Sequence, residues 1–165
     1  MIVERPLPWH RERRCAVDAI IIHYISAMYS KPKDPYCLDT CIDILNKEKL
    51  SYHYIITRDP SPSVIRLVDD TRKAFHAGYG NLFGRKDNVN DFSIGISLLA
   101  KPDDTFTFSQ IEQLTFLVRQ IRQTYAIPLN RIVGHDMVDP ERKKDPGPKF
   151  PWLSFLERCS LDVVI

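Results

Sequence analysis

Short apolar runs dominate the first two thirds of the chain and predict strands. Residues 16–24 (AVDAIIIHY) are rich in β-branched side chains and too short for a typical buried helix, which favours a buried strand. The alternation of residues 52–57 predicts a second strand, with Tyr52 and Tyr54 on one face and His53 on the other. After a proline-containing turn at 58–63, residues 64–68 are predicted to pair back as a hairpin partner. Residues 92–100 (FSIGISLLA) return to strand character.

Helical periodicity appears in three segments. Residues 38–50 carry apolar side chains at helical spacing, and residues 152–159 predict a short closing helix. The clearest helix covers 109–125, where either Thr107 or Ser109 can cap the first turn. Its buried stripe recurs every three or four residues, at Ile111, Leu114, Val118, Ile121 and Tyr125.

Two long polar segments separate these elements. Residues 75–90 (FHAGYGNLFGRKDNVN) and residues 136–151 are predicted loops, and loops of that length inside a compact domain are usually functional. Residues 1–14 predict an irregular N-terminal arm, and residues 15–165 a single catalytic domain. Strands interleaved with helices indicate an α/β fold, with a mixed central sheet of about five or six strands flanked by helices.

Composition and charge narrow the functional classes. The chain has 165 residues, 44% of them hydrophobic, which suits one sizeable core. Lys and Arg number 23 against 21 Asp and Glu, so a net charge of +2 gives no basic footprint for nucleic acid. No apolar run approaches the ~20 residues of a membrane-spanning helix. Since no export signal is visible, we expect a cytoplasmic protein; a periplasmic or secreted location is the alternative if an export segment is missing from the sequence.

Four cysteines are spread along the chain, at Cys15, Cys37, Cys41 and Cys159. A four-thiolate zinc site would need two close pairs, and the sequence contains one. A domain of this length does not need disulfides for stability. We therefore expect reduced thiols with structural roles.

Three side chains could bind a metal ion. His23 closes the first predicted strand, and His135 follows a short strand predicted at 131–134. Strand ends commonly present side chains to functional sites. Asp145 lies in a loop that neighbouring prolines stiffen. A catalytic zinc typically takes three such ligands and keeps one position for water, but spacing alone does not separate this interpretation from structural histidines and an Asp-Pro-Gly turn.

Five segments, in order along nearly the whole chain, resemble one known family. They are IIIHYIS at 20–26, SYHYIITRD at 51–59, FHAG at 75–78, NDFSIGI at 90–96 and GHDMVDPERKKDPGPKFPW at 134–152. Together they resemble the zinc-dependent N-acetylmuramoyl-L-alanine amidases, which include AmpD-type muropeptide amidases, phage lysozymes of amidase type and peptidoglycan recognition proteins. The last segment is the most specific, because it is similar to the family loop that carries a zinc histidine, a catalytic lysine and a zinc aspartate.

The resemblance implies an enzyme and assigns its parts. The expected reaction is hydrolysis of the amide between the lactyl group of N-acetylmuramic acid and L-alanine, in peptidoglycan or muropeptides. One zinc ion on His23, His135 and Asp145 would activate a water toward the lactyl carbonyl. Lys143 would stabilise the oxyanion, with the neighbouring Lys144 as the alternative. The resemblance also implies a monomer with the amidase and recognition-protein fold.

The proton-transfer group is where the sequence departs from part of the family. Many AmpD-type members carry a glutamate where this chain has Ser97, and a serine without an adjacent base cannot replace a carboxylate. Phage lysozymes and recognition proteins also lack that glutamate and place a tyrosine before the second strand, which matches Tyr52. We therefore predict that Tyr52 orients the water or transfers the proton; a packed core aromatic is the alternative.

Two further residues are assigned to substrate binding by the same resemblance. His76 would line the substrate pocket and Asn90 would shape its floor, whereas His53 is expected to be structural. A non-catalytic peptidoglycan-binding module remains the main alternative function. A different zinc hydrolase is a second, although the chain has no His-Glu-x-x-His segment, and a structural protein with buried histidines is a third.

Overall fold

The computed structural model describes residues 1–161. Ten strands are present in this range: β1 (Ile2–Glu4), β2 (His10–Glu12), β3 (Ala19–Ile25), β4 (Tyr54–Ile56), β5 (Val64–Arg66), β6 (Arg72–Ala74), β7 (Tyr79–Leu82), β8 (Arg85–Asn88), β9 (Ser93–Leu99) and β10 (Ile132–Gly134). The α-helices of the same range are α1 (Leu38–Glu48), α2 (Phe108–Tyr125), α3 (His135–Val138) and α4 (Trp152–Ser160). Short 3-10 turns cover Val89–Asp91 and Leu129–Arg131.

Six strands form a mixed central sheet in the order β1-β5-β4-β9-β3-β10. The β4–β5 pair is antiparallel and the other pairs are parallel. Strands β3 and β9 lie in the middle and are buried on both faces, which explains why they read as nearly continuous apolar runs. The predicted α/β class with a mixed sheet of five or six strands is confirmed.

Successive side chains of the central strands point to opposite faces of the sheet and build a separate core on each face. Ile20, Ile22 and Ile96 pack under α2 and α4. On the opposite face Ile55 packs under α1, together with residues that include Ile42, Leu45 and Leu67. His23 belongs to this second face, because neighbours in a strand point to opposite sides.

Helix boundaries agree well with the sequence pattern. The helix predicted at 38–50 is observed as α1, and the helix predicted at 109–125 is observed as α2. Thr107 is the N-cap of α2. Its hydroxyl accepts the backbone N–H of Gln110 while the Gln110 side chain accepts the N–H of Thr107, a complete capping box.

Two predictions about irregular segments were wrong. Within residues 1–14, β1 joins the main sheet beside β5, and β2 pairs with β6. The segment 75–90 contains the β7–β8 hairpin, which turns at Phe83 and Gly84 with positive φ at both positions. Strands β1 and β2 have no buried side chain, and the β7–β8 hairpin has one, Leu82. Neither segment therefore shows an apolar alternation. A pattern search based on hydrophobic period therefore misses them.

The described residues bear on two features of the sequence, whether a helix could span a membrane and whether the cysteines are paired. Within residues 1–161 no helix combines the length and the apolar character needed to cross a membrane. All four cysteines are free in the structure, with Cys41 and Cys159 buried and Cys15 exposed.

Candidate metal centre

Adjacent parallel strands bring two histidines to the same edge of the sheet. Strand β10 pairs with β3 in a register that aligns Gly134 with Ile22, so the residues that follow, His135 and His23, lie side by side. Asp145 comes from the loop after α3, and its carbonyl accepts the backbone N–H of Asp136 at 3.0 Å. That bond closes the loop back onto the first turn of α3 and places the carboxylate beside both imidazoles.

The three predicted ligands converge on one point. Asp145 Oδ2 lies 2.8 Å from His23 Nδ1 and 3.1 Å from His135 Nδ1. The imidazole centroids of the two histidines are 4.6 Å apart. One potential ligand atom from each residue lies within 4.8 Å of the others, and all three residues are buried. This arrangement can hold a metal ion.

Burial and mutual contact set the charges of these groups. Desolvation lowers the pKa of His23 to about 4, against the opposing effect of Asp145. Burial alone would raise the pKa of Asp145, but the polar contacts and the charge of His135 and His23 outweigh it and hold that pKa well below its usual range. A neutral imidazole and an ionised carboxylate are the protonation states that metal binding requires.

Of the two neighbouring lysines, Lys143 is the one whose charge acts on His23. Lys143 is half-buried, and its charge is close enough to His23 to help lower the pKa of that imidazole. Lys144 is exposed, with Nζ 3.4 Å from the carbonyl of Pro140. The sequence-based preference for Lys143 over Lys144 therefore agrees with their placement, although its catalytic role stays a prediction.

Tyr52 lies beside the centre, with its ring centroid 4.9 Å from that of His23. Burial raises the pKa of its phenol and the charge of Asp145 raises it further, while the neighbouring Ser97 hydroxyl offsets part of the rise. Tyr52 packs on the α1 side, whereas Tyr54 packs under α2 and α4. The strand alternation that placed Tyr52 and Tyr54 on one face was wrong, because β4 begins only at Tyr54.

Ser97 occupies the position directly beside His23. The two residues are partners in the β3–β9 register and point to the same face. Ser97 is fully buried, and its Oγ has no hydrogen-bond partner of good geometry within the described part of the chain. The side chain that replaces the family's glutamate is therefore at the centre, and it carries no charge.

His76 and Asn90 meet behind the ligands. His76 Nδ1 lies 2.9 Å from His23 Nε2. Asn90 Oδ1 accepts the backbone N–H groups of His76, Ala77 and Gly78 at 3.1, 2.8 and 3.2 Å. Both residues are buried, so the contacts observed are with the protein itself, and the substrate contacts expected from the sequence stay predictions.

His53 is held by backbone groups and by the guanidinium of Arg13, which lies 3.0 Å from its Nε2, as expected of a structural histidine. Its Nδ1 accepts the N–H of Gly95 at 3.0 Å, and its Nε2 lies 2.9 Å from the carbonyl of Arg72. Burial is the main cause that lowers the pKa of His53, to about 3.

Sequence reasoning missed Arg13, which fixes the segment behind the centre. Its guanidinium donates to the carbonyls of Asn90, Asp91 and Ser93 at 3.0 to 3.1 Å. In the sequence Arg13 belongs to the charged run RERR, which reads as a solvated surface. Nothing in that pattern signals burial.

Comparisons with known proteins agree with this geometry. A family model described as N-acetylmuramoyl-L-alanine amidase matches residues 13–148. The 1,6-anhydro-N-acetylmuramyl-L-alanine amidase AmpD of Salmonella typhimurium is 33% identical over 132 residues, which cover 80% of this chain and 68% of that protein. The N-acetylmuramoyl-L-alanine amidase AmiD of Escherichia coli is 30% identical over 150 residues, 82% of this chain and 51% of AmiD.

Two solved structures share the fold. A selenomethionine derivative of AmpD superposes with a TM-score of 0.78 at 29% identity, covering 95% of this chain and 93% of that one. The complex of E. coli AmiD with anhydro-N-acetylmuramic acid-L-Ala-D-γ-Glu-L-Lys has a TM-score of 0.75 at 28% identity. That match covers 90% of this chain and 60% of AmiD.

Proposed function

The chain belongs to the N-acetylmuramoyl-L-alanine amidase family, and we propose that it cleaves soluble muropeptides, including 1,6-anhydro forms, with one zinc ion. The bond cut is the amide between the lactyl carbonyl of muramic acid and the nitrogen of L-alanine. The observation that carries the proposal is the convergence of His23, His135 and Asp145 at one buried point. The names of the relatives and the muropeptide in the AmiD complex support the substrate class.

The residues present fit zinc. Two imidazole nitrogens and one carboxylate oxygen are the donor set of many catalytic zinc sites. Zinc–ligand distances of about 2.0–2.2 Å separate the ligand atoms of a tetrahedral site by roughly 3.3 Å. The 2.8 and 3.1 Å separations of Asp145 Oδ2 from His23 Nδ1 and His135 Nδ1 are near that value. His23 Nδ1, His135 Nδ1 and Asp145 Oδ2 would hold the ion.

The zinc ion would supply a Lewis acid that makes a water molecule nucleophilic near neutral pH. The chain's own residues set the rest of the reaction. As the lactyl carbonyl is attacked, its oxygen gains negative charge, and the ammonium of Lys143 stabilises that charge. Its half-buried position strengthens the attraction compared with a fully solvated lysine.

Tyr52 supports proton movement without serving as a free base. Because its pKa is raised by burial, the phenol stays protonated near neutral pH. It can orient the water by hydrogen bonding, or accept one proton while giving up its own, which keeps it neutral. The proton lost by the water must finally reach the nitrogen of L-alanine as the C–N bond breaks. A relay through Tyr52 satisfies this balance without a carboxylate at position 97.

The test is mass spectrometry of purified N-acetylmuramoyl and 1,6-anhydro-N-acetylmuramoyl tripeptides after incubation with the protein. We expect free sugar and free L-alanyl peptide, loss of both products with a zinc chelator, and their return when zinc is added back. Intact substrate that nevertheless binds to a zinc-loaded protein would contradict the amidase assignment. It would favour a peptidoglycan-binding module, to which the absence of a carboxylate at Ser97 gives some support.

A further inference from the structure

A continuous row of buried polar groups runs away from the metal centre behind His23. His23 Nε2 lies 2.9 Å from His76 Nδ1, and His76 Nε2 lies 3.2 Å from Ser93 Oγ. Ser93 Oγ in turn lies 2.6 Å from the carbonyl oxygen of Val89. The residues of this row come from β3, the segment after β6, the first residue of β9 and the 3-10 turn before it.

The far end of the row fixes the direction of every hydrogen bond in it. A carbonyl oxygen can only accept, so the Ser93 hydroxyl donates its single hydrogen to Val89. Ser93 Oγ is then left to accept from His76, which requires the hydrogen of that ring on Nε2. A neutral imidazole carries one N–H, so His76 Nδ1 is an acceptor and receives the Nε2–H of His23.

We propose that His76 is a positioning residue that holds His23 in the Nε2–H tautomer and thereby turns the Nδ1 lone pair toward the zinc ion. This inference rests on the proposed function, since it assumes zinc at the centre. A ligand histidine that arrives with the wrong tautomer must exchange its proton before it can bind. A hydrogen bond on the far ring nitrogen removes that cost and also fixes the orientation of the ring.

The position of the His76 ring is itself determined by its surroundings. Asn90 holds its backbone N–H. A Cβ built on Gly95 would collide with three atoms of the His76 ring, so the ring rests directly on the backbone of β9. Arg13 donates to the carbonyls of Asn90 and Ser93, in the segment that leads into this part of β9. The acceptor nitrogen is thus held at a fixed distance from His23 before any metal binds.

The direct test is nuclear magnetic resonance of zinc-loaded protein with ¹⁵N-labelled histidine. We expect His23 to carry its hydrogen on Nε2, His76 to carry its hydrogen on Nε2 as well, and a scalar coupling between His23 Nε2 and His76 Nδ1 across the hydrogen bond. Finding the His76 hydrogen on Nδ1 would reverse the direction of the row and overturn the proposal. Absence of the scalar coupling between His23 Nε2 and His76 Nδ1 would also overturn the proposal.

The second test measures zinc affinity by competition with a chelator in matched variants. His76→Phe keeps an aromatic ring but has no acceptor, and we expect zinc affinity to fall about 10- to 100-fold. His76→Asn places an amide oxygen near the position of Nδ1, and we expect it to restore most of the loss. His53→Gln is the control, because His53 is equally buried but contacts the backbone of Gly95 and Arg72 and the side chain of Arg13, and not a ligand.

The outcomes separate this inference from the proposed function. Zinc bound equally well by the wild type and by folded His76→Phe, together with a raised KM, would make His76 a substrate contact and overturn the positioning role alone. A wild-type protein that binds no zinc would overturn the proposed function, and the positioning role with it. An equal loss in His53→Gln would show that any damage to this region weakens the site, and would also contradict the proposal.

Discussion

The metal centre has two sides that differ in how their side chains are held. The ligand side consists of His23, His135, Asp145 and Lys143. His23 lies within β3, His135 begins α3 directly after β10, and the other two residues lie in the loop after α3. The backing layer consists of Arg13, His76, Asn90 and Ser93. Arg13, Asn90 and Ser93 bond to backbone groups, with Arg13 reaching Asn90 from a segment far away in sequence. The His76 ring contacts the side chains of His23 and Ser93. In the proposed reaction the ligand side supplies the chemistry, whereas the backing layer holds the geometry.

This difference leads to different consequences of substitution. Removing a member of the ligand side deletes a bond to the ion or a charge near the reacting atoms, so activity should fall while the fold survives. Removing a member of the backing layer leaves buried donors or acceptors without partners, which costs stability and loosens the ligands together. Variants on the two sides, measured for zinc content, turnover and thermal stability, test this distinction.

The largest effect is expected for Asp145→Ala. Its Oδ2 is the atom on which both imidazoles converge, so its loss removes one of three ligands and the charge that stabilises the other two. We expect no bound zinc after dialysis, measured as metal content per protein, and no detectable turnover. Full metal content in this variant would show that the ion binds elsewhere and would contradict the assignment of the three ligands.

The next largest effect is expected for Lys143→Ala. Loss of an oxyanion-stabilising group costs on the order of 10²- to 10³-fold in kcat, and zinc content should stay unchanged. Lys144→Ala is the matched control, because Lys144 is exposed and has the same charge one residue away. Equal losses in both variants would indicate a general charge effect of this loop instead of a role for Lys143.

Tyr52→Phe should reduce turnover on the order of 10²-fold if the hydroxyl moves a proton. The ring is retained, so its packing beside His23 and under α1 should keep zinc affinity unchanged. Tyr54→Phe is the control, because Tyr54 packs on the opposite face of the sheet. Turnover that survives in Tyr52→Phe would exclude the phenol as the proton-transfer group and return attention to water and Lys143.

The same two sides differ in how far the sequence predicts them. His23 and His135 follow apolar runs that form strands, and adjacent parallel strands bring the two residues together. Their positions made them candidates, and the family resemblance predicted the ligand set. The backing layer has no such signal. Arg13 lies in a charged run, and the partners of Ser93 depend on tertiary contacts that a local pattern does not contain.

The local sequence pattern predicts only the part of the fold that has a regular buried face. The central strands and α2 were predicted because burial on a regular face imposes a period on the sequence. The β7–β8 hairpin has one buried side chain, Leu82, and depends on a tight turn at Phe83 and Gly84, so it carries almost no hydrophobic period. Tyr52 shows the same limit, since alternation predicts its face only if the strand includes it, and β4 begins two residues later.

The smallest effect is expected for Ser93→Ala, at the far end of the backing layer. The variant leaves the Nε2–H of His76 without an acceptor and frees that ring to change tautomer, but it does not touch a ligand. One lost hydrogen bond of about 1 kcal/mol corresponds to roughly fivefold weaker zinc binding. Thr115→Val is the matched control, because it removes a buried hydroxyl that bonds to the Ile111 carbonyl on α2, away from the centre. Zinc affinity lowered in Ser93→Ala but not in Thr115→Val, at similar losses of thermal stability, would show that the backing layer acts on the ligands through hydrogen-bond direction; equal zinc affinity in both would confine that layer to folding.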